Sequence, residues 1–264
     1  MAEWKADFQT TCNTWEAGRL SAGREACGRL QGRIDLPDEI LPDTRGKATF
    51  CSQSLADYAP SFEVRPLSFP VPTGWSRFNP TLAQGPGGLT AVVRSGNYTV
   101  DDGQYKIIDR DGVVRSQNYL LPLAADGSAL SVNLINVVAV SVDPPRFPVT
   151  GFEDCRLIWQ NGAWWLSSTR RDASFDGICQ MVLLRLDGDR VVELIPLSDD
   201  VSGHEKNWMP VVMEAPGESM FFVYSIAPTV VMKLDLVSRE VARVTRRNAP
   251  AFARSLRGGG QVLP

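Results

Sequence analysis

Histidine is almost missing from this sequence: His204 is the only one. A metal centre built on several imidazoles is thereby excluded, and a nucleophilic triad could draw on His204 alone. No G-x-S-x-G elbow accompanies it, so His204 reads as a structural side chain or a ligand contact beside Glu205. No CxxC pair occurs among Cys12, Cys27, Cys51, Cys155 and Cys179, and the odd number argues against a disulfide framework or a structural zinc site. Reduced thiols fit better. Long apolar runs are absent too, so no segment reads as a membrane span. A dominant charge is lacking: 27 Lys+Arg against 30 Asp+Glu leave a net −3, no electrostatic reason for nucleic acid or an anionic membrane as partner. The first residues, Met1-Ala2-Glu3-Trp4-Lys5, lack the basic-then-apolar pattern of a signal peptide, and cytoplasm is the expectation. Asn97-Tyr98-Thr99 matches a glycosylation acceptor, idle in a chain that is not secreted.

What is there is an ordinary globular composition, 44% hydrophobic and 22% charged, in 264 residues, enough for one large domain, or one domain plus a small appendage. Residues 1–32 read as a helical segment, with Phe8, Cys12 and Trp15 on one face and a turn near Gly18 and Gly23. Residues 33–74 read as a connecting stretch, where Pro37, Pro42, Pro60, Pro66, Pro70 and Pro72 exclude long helices. From about residue 75 the signal is β. Leu89–Arg94 is a strand. Tyr105–Ile108, the turn Asp109–Gly112 and Val113-Val114 read as strand, turn, strand. Cys155–Gln160, Asn161-Gly162 and Ala163–Ser168 form the clearest hairpin, because Asn-Gly suits a type I′ turn. Met181–Leu186 with Val191–Ile195, and Ser219–Ile226 with Val230–Leu236, read as two more.

A repeat underlies these hairpins. Each pass opens on a polar motif: Phe78-Asn79-Pro80, Gly151-Phe152-Glu153-Asp154, Glu205-Lys206-Asn207-Trp208 and Leu256-Arg257-Gly258-Gly259. Asp154, Asn207 and Gly258 stand about 50 residues apart, the period of a propeller blade; the pass from Asn79 to Asp154 is longer and carries an insertion or an extra strand. In a propeller the equivalent loops gather around one axis, so distant residues converge on one pocket.

Gly151-Phe152-Glu153-Asp154-Cys155-Arg156-Leu157 is the most informative stretch. Taken alone it is a charged loop with an internal ion pair. Set beside Asn79, Arg94, Arg170, Lys206, Asn207 and Tyr224 at other strand ends, it supplies carboxylates and amides for hydroxyls, an aromatic face, and cations for phosphate. Trp208 is the stacking candidate among the tryptophans, since one of Trp164 and Trp165 must face the core. Asp109-Arg110-Asp111 and Asp187-Gly188-Asp189 mimic a metal-binding DxD but read as hairpin turns, and no metal site is expected.

Glu153-Asp154-Cys155-Arg156 resembles the Glu-Asp-Pro-Arg motif of glycoside hydrolase family 130. Lys206-Asn207-Trp208, Tyr224–Pro228, and Asn79-Pro80 with Arg94 resemble further motifs of that family, in the same order. The resemblance runs from about residue 75 to the end. It implies a mostly β, five-bladed β-propeller, and cleavage of β-mannosides, mostly by inverting phosphorolysis. Related propellers are mannosyltransferases, and similar domains follow helical repeats in large bacterial glycosyltransferase-like proteins, an arrangement that residues 3–32 fit. By the resemblance Asp154 is the general acid, Arg156, Arg170 and Lys206 are phosphate or sugar ligands, and Asn79, Arg94, Glu153, Asn207 and Tyr224 hold the sugar, with Trp208 as the stacking candidate beside them. No cofactor is implied; inorganic phosphate, a sugar phosphate or a nucleotide sugar is the cosubstrate, and a glycan the partner. Two departures stand out. Cys155 replaces the usual proline, and Leu256–Gln261 reads as the opening of another blade just before Pro264, which implies a fragment, a truncated gene that leaves a five-bladed ring incomplete, or a ring closed in an unusual way. Retention of Glu153, Asp154, Arg156 and Lys206 favours a glycoside phosphorylase or glycosyltransferase. The departures favour a non-catalytic glycan-binding or scaffolding propeller of a glycosyltransferase assembly.

Overall fold

The structure, a computed structural model, describes residues 66–101, 104–198, 203–213 and 217–249, with residues 61, 64, 253 and 262. The helical segment expected over 1–32, most of the connecting stretch 33–74 and the opening Leu256–Gly259 lie outside them. The described residues are mostly β, with no α-helix among them. None of their helices is long and apolar enough to cross a membrane. The chain divides into two compact units. Of the one holding Met1–Arg65, Ile226–Pro228 and Arg247–Arg257 little is described; the other carries Pro66–Ser225, Thr229–Arg246 and Gly258–Pro264.

The larger unit consists of antiparallel sheets built like propeller blades. In the first, β1 (Ser76–Gly85), β2 (Gly88–Gly96), β5 (Val114–Pro122) and β6 (Asn133–Leu134) lie in that order, and β7 (Val149–Thr150) adds in parallel to β5. A two-stranded ribbon, β3 (Tyr98–Asp101) with β4 (Gln104–Ile107), is inserted between β2 and β5. The second sheet is a plain meander of β8 (Glu153–Gln160), β9 (Ala163–Arg170), β10 (Gln180–Asp187) and β11 (Arg190–Pro196). The third repeats it with β12 (Met209–Val211), β13 (Ser219–Ser225), β14 (Thr229–Asp235) and β15 (Val241–Arg247).

The two-residue period of a strand sends alternate side chains to opposite faces. In the second sheet both faces are apolar, and the alternation sorts them. Leu157, Leu166, Val182 and Leu184 join Val92 and Leu120 of the first sheet in one core. Ile158, Trp165, Met181 and Leu183 join Trp208, Met220 and Phe222 of the third region in another. The middle sheet is therefore covered on both sides, which is why Leu157-Ile158-Trp159 and Met181–Leu184 are continuous apolar runs. A smaller core of Phe69, Ala91, Val93, Tyr119 and Leu121 covers the far face of the first sheet.

The Asn161-Gly162 hairpin forms as expected, with φ of 50° and 74° at its two central residues. The expected pairing of 105–108 with 113–114 does not form. β4 pairs with β3, and β5 pairs with β2. Where that pairing would have been stands Asn97, fully buried, its side chain bonded to backbone. Its Oδ1 accepts from Arg115 N at 2.7 Å, and its Nδ2 donates to Val113 O at 2.8 Å and to Asp109 Oδ2 at 2.7 Å. The same bonds leave no free amide for a glycan. Asp109 and Asp111 are both engaged by Arg115, so this DxD is a stapled turn. The ribbon accounts for much of the extra length between Asn79 and Asp154.

Candidate functional site

The three polar openings of the repeat that fall among the described residues all bend the backbone. Asn79, Asp154 and Asn207 have φ of 50°, 53° and 60°, the left-handed region that asparagine and aspartate tolerate best. In β1 the register slips between Phe78 and Thr81, and in β8 between Glu153 and Arg156, each a bulge around the left-handed residue. A bulge turns one side chain away from the strand's ordinary alternation. Here it aims residues from neighbouring sheets at each other. Asn79 Nδ2 donates to Asp154 Oδ1. β1 and β8 pack together, and Leu157 N donates to Thr81 Oγ1 across them at 3.3 Å.

Arg94, only 4% exposed, is the hub of this cluster. Its Nη1 donates to the same Asp154 Oδ1 at 3.0 Å, and Nη2 lies 3.4 Å from Glu153 Oε1. Nη2 also donates to Tyr98 Oη at 2.8 Å and Nε to Ser116 Oγ at 3.0 Å. The guanidinium carbon sits 4.9 Å from the Phe78 ring centroid and 5.7 Å from that of Tyr98. Burial pushes the Tyr98 phenol above its ordinary range, with Arg94 pulling the other way. Both donors on Asp154 use Oδ1, so Oδ2 is the oxygen left to act, and the side chain keeps 27% of its surface exposed.

Arg156 presents the opposite electrostatics. It is 7% exposed, yet no carboxylate pairs with it among the described residues. Nη1 donates to Asp154 O at 3.1 Å, Nη2 to Asn207 Oδ1 at 3.4 Å, and Nε is buried without a partner. Asn207 thereby joins the third opening to the second. The next residue back, Lys206, is exposed.

Two expected ligands are elsewhere. Trp208 is 2% exposed and belongs to the core against Phe222, so it has no face to stack on a sugar. Its Nε1 instead donates to Glu205 Oε2 at 3.1 Å, while Tyr224 Oη donates to Glu205 Oε1 at 3.2 Å. Tyr224 is 39% exposed, and its ring stands edge-on to that of Trp208 with centroids 5.4 Å apart. Arg170 reaches the expected strand end but turns to Asp172: Nε donates to Oδ1 at 3.0 Å, and Nη2 lies 2.9 Å from the same oxygen but off a hydrogen-bonding line. Its guanidinium lies 5.8 Å from the Phe152 ring centroid. His204 Nδ1 accepts from Cys179 N at 3.1 Å, a structural role. Sequence reading missed Tyr98, Ser116 and Glu205 as supports. The only signal for Tyr98 was its place four residues after Arg94, which means nothing until the two side chains are seen to bond. A cleft of about 640 Å³ is bordered by Ser116, Asn118, Asn136, Phe152 and Arg190. Among the described residues no group of three or more His, Cys, Asp or Glu side chains could hold a metal ion.

No family model matches the chain, and no curated protein does. Among solved structures it is similar to a bifunctional GH43-CE protein from Bacteroides eggerthii, at 13% identity and a TM-score of 0.36, over 67% of this chain and 27% of that one. It is also similar to the periplasmic gluconolactonase PpgL of Pseudomonas aeruginosa, at 14% identity and a TM-score of 0.26, over 64% of this chain and 72% of that one. The chain spans about a quarter of the first protein's length. Likenesses of this depth carry nothing about activity.

Proposed function

We propose that the chain is a carbohydrate-active propeller whose site takes a β-mannoside-like glycan together with phosphate or a sugar phosphate. The observation that carries this reading is the pairing of a buried arginine lacking any described carboxylate partner, Arg156, with a carboxylate that has one oxygen free, Asp154. An unpaired buried cation is costly, and an anionic ligand relieves the cost. Lys206 and Asn207 beside it extend the cradle. In the reaction, Asp154 Oδ2 gives its proton to the glycosidic oxygen as a phosphate oxygen bonds to the anomeric carbon from the opposite face. The electrons of the breaking C–O bond leave with the aglycone, and the proton that phosphate sheds restores the carboxyl. One protein acid suffices because phosphate itself attacks, unlike the two-carboxylate plan of inverting hydrolases. Asn79, Glu153 and Tyr224 hold hydroxyls; Arg94 keeps Asp154 in place.

A second reading has its own observation. Arg94 pairs with both Glu153 and Asp154, an arrangement that also serves a static joint between two blades of a glycan-binding propeller. The deciding experiment follows phosphate release or uptake with mannose 1-phosphate, GDP-mannose and β-manno-oligosaccharides. Asp154→Asn is the right variant, because asparagine accepts the left-handed backbone and keeps the bond from Asn79. Turnover that falls by about 100-fold or more in the variant supports a catalytic acid. Sugar binding without turnover in either protein means a binding domain.

A further inference from the structure

The β3–β4 ribbon carries an aromatic ladder that leads outward from the carboxylates. Its register pairs Tyr98 with Ile107 and Val100 with Tyr105, so these four side chains share one face. Thr99, Asp101 and Lys106 take the other, where Lys106 pairs with Asp101. The apolar face starts in the site: Tyr98 is 8% exposed and accepts the bond from Arg94. It ends in solvent: Val100 is 58% and Tyr105 65% exposed. Ring centroids are spaced 5.2 Å from Phe78 to Tyr98 and 5.2 Å again from Tyr98 to Tyr105. A two-stranded ribbon gains little stability from an apolar face held out in water, so an exposed ring continuous with a polar site points to ligand rather than to core.

We propose that Tyr105 is an outer sugar-stacking subsite, selecting glycans long enough to extend from the Asp154 cluster along the ribbon. This rests on the carbohydrate reading above and names what that reading leaves open, the length of the substrate. An aromatic ring offers an apolar face to the C–H face of a pyranose and leaves its hydroxyls to water, which suits a neutral glycan. The polar opposite face of the ribbon, with its Lys106–Asp101 pair, has no such surface.

The test measures dissociation constants for β-1,4-manno-oligosaccharides of two to five units on the full chain, by titration calorimetry. In the wild type the longer glycans bind more tightly. Tyr105→Ala reduces that long-over-short preference by about 5- to 10-fold, the worth of one aromatic stack. Tyr105→Phe restores it, because the ring does the binding, and Lys106→Ala on the other face leaves it unchanged. A preference that survives Tyr105→Ala in a protein that binds the glycans overturns the subsite and leaves the site reading standing. A wild type that binds no glycan of any length overturns both. Saturation transfer from tyrosine ring protons to the outer sugar of a bound tetraose, lost in Tyr105→Ala, supports the subsite directly.

Discussion

Arg94, near the end of β2, and Arg156, near the start of β8, are both buried, and their surroundings differ in one respect. Arg94 has two carboxylates, a phenol and a hydroxyl within reach. Arg156 has a backbone carbonyl and an amide oxygen. A cation kept buried against its solvation, without an ion pair, is a stability cost tolerated for function. Arg156→Met is therefore expected to raise the unfolding free energy by about 1 kcal/mol or more. It is also expected to abolish any rise in melting temperature that phosphate gives the wild type, since a ligand bound only to the folded state stabilises by mass action. Thermal scans with and without phosphate check both. A variant that is less stable and equally sensitive to phosphate would show Arg156 to be a structural residue. Trp208 and Tyr224 teach the same lesson about residue type. Either could stack on a sugar, and burial alone assigns the first to the core.

At the scale of the element, the β8–β9 hairpin shows how tightly sequence and backbone can agree. Both turn residues have positive φ, which glycine meets without cost and asparagine at little. Asn161 does more than turn the chain. Its Nδ2 donates to Gly217 O at 2.7 Å and its Oδ1 accepts from Gly217 N at 3.2 Å, tying this turn to the approach to β13. Asn161→Ala loses both bonds and strains the turn, an expected cost of about 2 kcal/mol in urea unfolding. Asn161→Gly, free of strain, is expected to recover roughly half. The β3–β4 ribbon was not legible in the same way. Asp109–Gly112 is a good turn sequence, yet the strands on either side of it do not pair. A buried Asn97 supplies hydrogen bonds that a hairpin would have made, and no local pattern announces that.

On the scale of the whole molecule, the sheets stack on one another, and Cys155 reports on that stacking. It lies in the core shared by the first and second sheets and touches Ser168 Oγ at 3.3 Å. Burial pushes its thiol up to about 11 from an ordinary 9.0, with Ser168 pulling slightly down. The folded state thus favours the protonated thiol. Its contribution to stability is full below about pH 9 and is lost as pH rises through about 11. Cys155→Ala is expected to flatten the alkaline fall in denaturant midpoint, measured across that range; an unchanged slope would mean that the sheets part enough to ionise the thiol. The sequence by itself determined the β character after residue 75, the Asn-Gly hairpin, and the polar openings at Asn79, Asp154 and Asn207, because turn chemistry and a two-residue period are local properties of the chain. Tertiary structure alone decided that Arg94 clamps Asp154, that Arg156 meets no carboxylate among the described residues, that Arg170 serves Asp172 and that Trp208 is core. Those outcomes depend on which side chains meet across sheets that lie far apart in sequence, and only packing fixes that.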